Sequence, residues 1–284
     1  MQWNVTDMKQ VTSAANPRYQ ALRMLVQSSQ ERRKTGLSVL DGVHLAAAYR
    51  EHVGLPRRIA VSRSGLGNPE VQTLLDGMKG VETFALGDAL FGALSSVASP
   101  TGILTVVETP SPQSVPREMD VCVMLEDLQD PGNLGSILRS CAAAGVRHVL
   151  LSKGSVQAWS PRVLRAGMGA HFMLSIYERT DLRAAARDFP GRLIATRPLA
   201  PRTVFDTDLT GKLGFLFGNE GAGLSAGLLA AADALVSIPM PGKSESLNVA
   251  AAAAVCLFER VRQLRASSQP PVGSAQRGIQ KPAD

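Results

Sequence analysis

The chain has 284 residues, of which 45% are hydrophobic and 19% charged, and a formal net charge of +6. That composition excludes disordered, collagenous and disulfide-built chains, and the length suits one large or two ordinary domains. The charge is uneven: between residues 18 and 63 nine cations (Arg18, Arg23, Arg32, Arg33, Lys34, Arg50, Arg57, Arg58, Arg63) face three acids (Glu31, Asp41, Glu51), a surplus equal to the whole net charge.

In chain order, Asn16-Pro17 opens a helical pattern with Leu22, Leu25 and Val26 on one face. Gly36 ends it, after the basic cluster Glu31 to Lys34. Leu37–Leu40 reads as a strand, Asp41-Gly42 as a turn and Val43–Glu51 as a helix. Arg58–Val61 is a strand, Val71–Met78 a helix and Gly102–Glu108 a late strand. Residues 1–108 are thus expected to form a small α/β domain whose basic segment suits nucleic acid; a solvated basic face is the plainer alternative.

Thr109 to Glu118 (TPSPQSVPRE) carries three prolines and no periodicity, so 109–119 is expected to be a linker. In 120–265 the expected strands are Val121–Leu125, His148–Leu151, Phe172–Ile176, Arg192–Ala195, Leu213–Phe217 and Ala234–Ile238, most of them separated by helical runs. That alternation predicts an α/β fold with a mostly parallel sheet covered on both faces. A last helix is expected from near Asn248 to about Arg265, and a disordered polar tail over 266–284.

Three cysteines (Cys122, Cys141, Cys256) and four histidines (His44, His52, His148, His171) show neither a disulfide framework nor metal-ligand spacing. The first ten residues lack a signal-peptide core, and the longest apolar run, Val249 to Phe258, is well short of the ~20 residues of a membrane span. A cytoplasmic protein without membrane contact is expected.

Three stretches carry the chemistry: Leu125 to Val146 (LEDLQDPGNLGSILRSCAAAGV), Leu213 to Ser225 (LGFLFGNEGAGLS) and Val236 to Glu259 (VSIPMPGKSESLNVAAAAAVCLFE). Each passes from a strand through a glycine-rich polar loop into a helix, and open α/β sheets bind ligands at such loops. Two dinucleotide-like or nucleotide-like patterns fail in detail. Gly221 to Gly227 has the spacing G-x-G-x-x-x-G, with no acid ending the next strand. Pro241-Gly242-Lys243-Ser244 has Ser237 where a phosphate-binding loop needs its first glycine.

The three stretches resemble the motifs of SpoU/TrmH-type RNA 2′-O-ribose methyltransferases of the SPOUT group. The first matches in Asn133, Gly135, Ile137-Leu138-Arg139 and Ala144-Gly145; the second in Gly218, Asn219, Glu220, Gly223 and Leu224. The third matches in Ile238, Pro239, Met240, Gly242, Ser246, Leu247 and Asn248. Ser160 to Ala170 (SPRVLRAGMGA) is also similar, and the first domain looks like the ribosomal-protein-like RNA-binding domain fused ahead of such enzymes. Departures are Ala250, where many relatives have serine, and Asp41, where glutamate is frequent.

The resemblance implies a C-terminal deep trefoil knot, a homodimer, S-adenosylmethionine (AdoMet) as methyl donor and structured RNA as substrate, rRNA ahead of tRNA. It implies catalytic roles for Arg139, Asn133, Glu220, Ser246 and Asn248, and cofactor contacts from Gly218, Asn219, Ile238, Met240 and Leu247. Because a guanidinium holds its proton to a pKa above about 12, Arg139 is read as a clamp on RNA rather than a base. Asn133 is expected to cap its helix or bind ribose, Glu220 to fix an arginine, and Asn248 to cap the last helix. Arg18, Arg32, Arg33, Lys34, Arg162 and Arg165 are expected to contact RNA phosphates. The alternatives are a non-catalytic RNA-binding or ribosome-assembly factor, and a tRNA or antibiotic-resistance methyltransferase.

Overall fold

The computed structural model describes residue 3 and residues 8–268. Most of the first ten residues, where no signal-peptide core is expected, and the expected tail from 269 on lie outside these residues, while 266–268 of that tail are helical. The described chain builds two sheets. The first has the order β1-β4-β3-β5-β2 from β1 (Lys9–Val11), β2 (Leu37–Asp41), β3 (Arg58–Ser62), β4 (Glu82–Leu86) and β5 (Ile103–Glu108). Its β2–β5 and β3–β5 pairs are antiparallel and the other two parallel. Around it lie α1 (Pro17–Gln27), α2 (Ser29–Thr35), α3 (Val43–His52), α4 (Pro69–Asp76) and α5 (Asp88–Gly92).

The second sheet contains β6 (Val121–Leu125), β7 (His148–Leu151), β8 (Ser175–Tyr177), β9 (Arg192–Thr196), β10 (Arg202–Thr203), β11 (Leu213–Phe217) and β12 (Ala234–Ser237). Its order is β10-β12-β9-β11-β6-β7-β8, and every pairing is parallel. The helices are α6 (Pro131–Ala143), α7 (Pro161–Gly167), α8 (Leu182–Asp188), α9 (Ala226–Ala231) and α10 (Val249–Ser268). All of β11 and four of the five residues of β6 are buried, as a sheet covered on both faces requires.

Local chemistry explains where expectation and structure differ. The first helix does not run on to Gly36. Ser28 is extended (φ −112°, ψ 114°) and its hydroxyl accepts the Glu31 N–H at 3.1 Å, starting a new helix that Gly36 closes at φ +65°. The strand expected over Phe172–Ile176 begins only at Ser175. Phe172 instead sits in a 3-10 turn, 5.3 Å from Tyr49 and 6.2 Å from Trp159 between ring centroids. The short strands β1, β4 and β10 were not foreseen. The last helix continues three residues past Arg265.

Thr109 to Glu118 forms no helix or strand, yet it is laid against the protein: Thr109 and Ser38 share a 2.7 Å hydroxyl hydrogen bond, and Val115 packs on the cluster holding Met119 and Tyr177. Leu40, Leu45, Tyr49 and Val107 belong to the same hydrophobic cluster as Val123, Ile137 and Trp159, so one apolar core joins the two sheets. Helices α6 and α7 touch through glycines. A Cβ on Gly135 would lie 2.4 Å from the Ala166 Cβ, and one on Gly167 would lie 2.5 Å from the His171 ring. That close approach is the physical content of the small residues in Ser160 to Ala170. Among the described residues no helix is long and apolar enough to cross a membrane.

Candidate active site

Three loops leave the carboxyl ends of β6, β11 and β12, and the sheet order sets β6 beside β11. In the first loop, Asp130 caps α6: its carboxylate accepts the Asn133 N–H at 2.7 Å, and Pro131 follows at the first helical position. Asn133 is therefore not the cap, one of the two roles expected of it. Its side chain turns outward, donates from Nδ2 to Glu220 Oε1 at 3.0 Å and accepts from Asn248 Nδ2 at 2.8 Å. Asn248 does cap α10, its Oδ1 accepting the N–H groups of Ala250 (2.9 Å) and Ala251 (3.4 Å). One hydrogen-bonded line, Glu220–Asn133–Asn248, thus joins all three loops.

The second loop is a tight hairpin in which Asn219 and Gly223 exchange backbone hydrogen bonds of 3.0 and 2.9 Å. The Asn219 side chain accepts from Gly221 and Ala222 N–H and donates to the Asp127 carbonyl at 2.8 Å. Gly218 admits no side chain, since a Cβ would lie 2.2 Å from the Gly223 carbonyl carbon. Glu220 also accepts the N–H groups of Gln129 and Asp130, both at 3.3 Å. Partial burial opposes its charge, but Asn133 and the N–H groups of Glu220, Gln129 and Asp130 outweigh it and hold the carboxyl below its ordinary range. A carboxylate so held orients neighbours and is a weak proton acceptor.

Glu220 does not meet Arg139. Arg139 lies on α6, six residues and about 9 Å of helix axis beyond Asn133. It is exposed and, among the described residues, has no hydrogen-bond or ion-pair partner. Ser246 is exposed in the third loop, where its carbonyl accepts from the Ser244 hydroxyl at 3.0 Å. In that loop Leu247 is 40% exposed, while Ile238 and Met240 are half-buried. Among the described residues, the N–H groups of 242–247 make no hydrogen bond to the rest of the chain. Free backbone donors beside uncovered apolar side chains are what a flat heteroaromatic ring with a polar edge needs.

The expected RNA contacts divide. Arg32 is a correction: it is buried, and it donates to Gln157 Oε1 (2.8 Å) and to the carbonyls of Leu25 (2.6 Å) and Val26 (3.1 Å). Its guanidinium ties α2 to the second sheet's loops and faces no phosphate. Arg18 pairs with Glu82 at 2.9 Å, and Arg165 donates to the Ser96 carbonyl at 3.1 Å. Arg33, Lys34 and Arg162 are exposed. The residues missed were Asp130, Asp127 and Gln129. Asp130 was legible as an aspartate before proline, three residues ahead of Asn133; the other two act through backbone geometry that no local pattern shows. All three cysteines are buried, which pushes Cys122 and Cys256 up to about 12 and makes them inert.

The family model described as the SpoU rRNA Methylase family matches residues 120–258. An uncharacterized tRNA/rRNA methyltransferase of Synechocystis is 33% identical over 270 residues, 93% of this chain and 98% of that one. The 23S rRNA (guanosine(2553)-2′-O)-methyltransferase RlmP of Bacillus subtilis is 29% identical over 88% of this chain and 98% of its own. Among solved structures, the SpoU methyltransferase AviRb from Streptomyces viridochromogenes in complex with AdoMet superposes with a TM-score of 0.77 at 28% identity. That match covers 88% of this chain and all of AviRb.

Proposed function

This chain belongs to the SpoU rRNA methylase family, and from that premise we propose how its loops carry out AdoMet-dependent methylation of a ribose 2′-hydroxyl in rRNA. The observation that carries the reading is the line Glu220–Asn133–Asn248, which draws three loops from distant parts of the chain into one polar surface. AdoMet supplies an electrophilic methyl carbon. The residues present fit it: among the described residues the 242–247 amides are free, Ile238, Met240 and Leu247 offer apolar cover, and Gly218 lets the second loop fold tightly onto Gly223 at the edge of that surface. Asn219 belongs to that pocket through the hairpin it closes.

The chain's own work is to orient the hydroxyl and handle one proton. Arg139, exposed and unpaired among the described residues, offers its planar fork to an RNA phosphate and the adjoining ribose. Asn133 and Asn248, held by Glu220 and by the α10 N-terminus, present polar edges about 9 Å back along the α6 axis, and Ser246 adds a hydroxyl. The proton leaves toward a phosphate oxygen within the Arg139 clamp, because Glu220 is saturated with donors. Arg33, Lys34 and Arg162 supply sequence-independent phosphate contacts from the rest of the surface.

The finer architecture belongs to the same proposal. Residues 1–108 are the RNA-docking unit and 120–265 the catalytic one. A trefoil knot is supported by the strand order: Thr196 of β9 and Arg202 of β10 both pair with Val236 from opposite sides of β12. The five residues 197–201 must therefore cross the end of β12, where the third loop departs. A homodimer is supported by α10, which leaves Phe258 47% exposed and Ala251 exposed. The protein acts in the cytoplasm, on RNA rather than at a membrane.

The test uses methyl-labelled AdoMet with rRNA and ribosomal particles from a host lacking this gene. Label in an alkali-resistant dinucleotide, lost in Arg139→Ala, is the expected result. AdoMet binding without any transfer would replace the enzyme by a non-catalytic factor.

A further inference from the structure

Asp127 is the only non-glycine residue in the three loops that takes a left-handed backbone among the described residues (φ +52°). Side chains other than Gly, Asn and Asp resist that conformation, so something must hold it. The holding groups come from two other strand ends. The Ser152 hydroxyl, just past β7, accepts the Asp127 N–H at 2.8 Å and donates to the Asp127 carboxylate at 2.5 Å. The Asp127 carbonyl accepts the Asn219 side chain at 2.8 Å. Its carboxylate leans over Gly154, where a Cβ would come within 2.2 Å of Oδ1. Gln129 Nε2 then donates to the Gly154 carbonyl at 2.8 Å, and the Val156 N–H to the Leu128 carbonyl at 2.7 Å.

We propose that Asp127, clamped by Ser152, is a positioning residue for methyl transfer, which sets loop 126–130 so that its N–H groups grip Glu220. The Gln129 and Asp130 N–H groups reach Glu220 only if the chain turns at Asp127. Glu220 in turn fixes Asn133, and Asn133 fixes Asn248. Asp127 touches none of the groups assigned to RNA, and of those assigned to AdoMet it meets only the Asn219 side chain, through its carbonyl. It acts through the peptide bonds that follow it, and the turn from β7 becomes part of the site without facing it. The inference rests on the methyl-transfer reading above.

The experiment compares wild type with Asp127→Ala, Asp127→Asn and Ser152→Ala in two measurements. The first is amide hydrogen exchange over residues 126–133, which reads the clamp without any activity. The second is steady-state methylation of rRNA with AdoMet affinity measured separately. Asp127→Ala and Ser152→Ala are expected to speed exchange and to lower kcat roughly 10- to 100-fold, with AdoMet Kd within about twofold. Asp127→Asn, which tolerates the left-handed turn and can still accept from Ser152, is expected to recover most of kcat. The double variant Asp127→Ala/Ser152→Ala is expected to be little worse than either single one, because both remove the same clamp. Unchanged exchange, or faster exchange with wild-type kcat, would overturn the positioning role while leaving the enzyme. A wild type that transfers no methyl group would overturn the functional reading, and this inference with it. A loss confined to AdoMet Kd or to thermal stability would reduce Asp127 to a structural turn.

Discussion

The side-chain amide of Asn248 donates a 2.8 Å hydrogen bond to the side-chain carbonyl of Asn133, 115 residues earlier in the chain. Each asparagine has a second commitment: Asn133 donates to Glu220, and Asn248 caps α10. With both oxygens accepting, the amide orientations are mutually fixed.

Removing either asparagine should therefore disorder the other. Asn133→Ala and Asn248→Ala are each expected to lower kcat roughly 100-fold, and the double variant to fall short of the product of the two. The check is a double-mutant cycle in kcat on rRNA. Full additivity would show that the two residues act separately.

Arg139 is exposed and has no hydrogen-bond or ion-pair partner among the described residues, so its substitution should separate chemistry from folding. Arg139→Lys keeps the charge but loses the fork, and is expected to cost at least about tenfold in kcat. Thermal unfolding should change by the equivalent of about 0.5 kcal/mol or less, as for other surface sites. Calorimetric AdoMet binding should be unchanged. A large fall in Tm would mean that Arg139 has a structural partner.

Arg32 and its neighbours should behave oppositely. Arg32→Ala leaves Gln157 and two carbonyls without their donor and is expected to destabilise by about 1–3 kcal/mol, with little change in the salt dependence of RNA binding. Arg33→Ala/Lys34→Ala should leave stability alone and weaken RNA binding, with a shallower slope of log K against log salt. Urea unfolding and filter binding at several salt concentrations distinguish the two classes.

His171 is fully buried, and burial pushes it down to about 4 despite the Ala158 carbonyl at 2.9 Å from Nε2. Nε2 must carry the proton toward that carbonyl, and Nδ1 has no partner to receive a second one. The unfolded chain takes up a proton near pH 6.5, whereas the native state resists until about 4. Stability is complete above 6.5 and is lost as pH falls toward 4, by roughly 3 kcal/mol in all. His171→Gln, which still offers a donor but does not titrate, should flatten urea midpoints across that window. Proton NMR should show His171 neutral at pH 5 in the wild type.

Gly135→Ala should drive a methyl group into Ala166 and the Gly167 backbone. A cost of about 1–3 kcal/mol is expected. Ala166→Gly in the same chain should restore part of it, since the Gly167 N and Val163 O contacts remain. Thermal unfolding of the single and double variants measures both.

Much of this protein was legible along the chain. The parallel sheet follows from apolar runs such as VCVML and LGFLF, alternating with capped helices. Three loops of one composition marked the site, because strand, loop and helix signals are carried by residues only a few positions apart. Helix caps were readable for the same reason: Asn16 and Asn248 each accept from the N–H two residues on. Tertiary structure decided what those residues do. Asp130 takes the capping role, which frees Asn133 to reach Glu220, 87 residues away. Arg32 stands in a basic run like its neighbours, yet α2 turns it inward onto Gln157, 125 residues later. Phe172 leaves the strand pattern because Tyr49, from the other sheet's helices, offers its ring an edge. Local patterns specify backbone conformation and which face is apolar. Which polar group meets which is settled by strand order, since a hydrogen bond needs its partner within about 3 Å and only the assembled sheet brings distant loops that close.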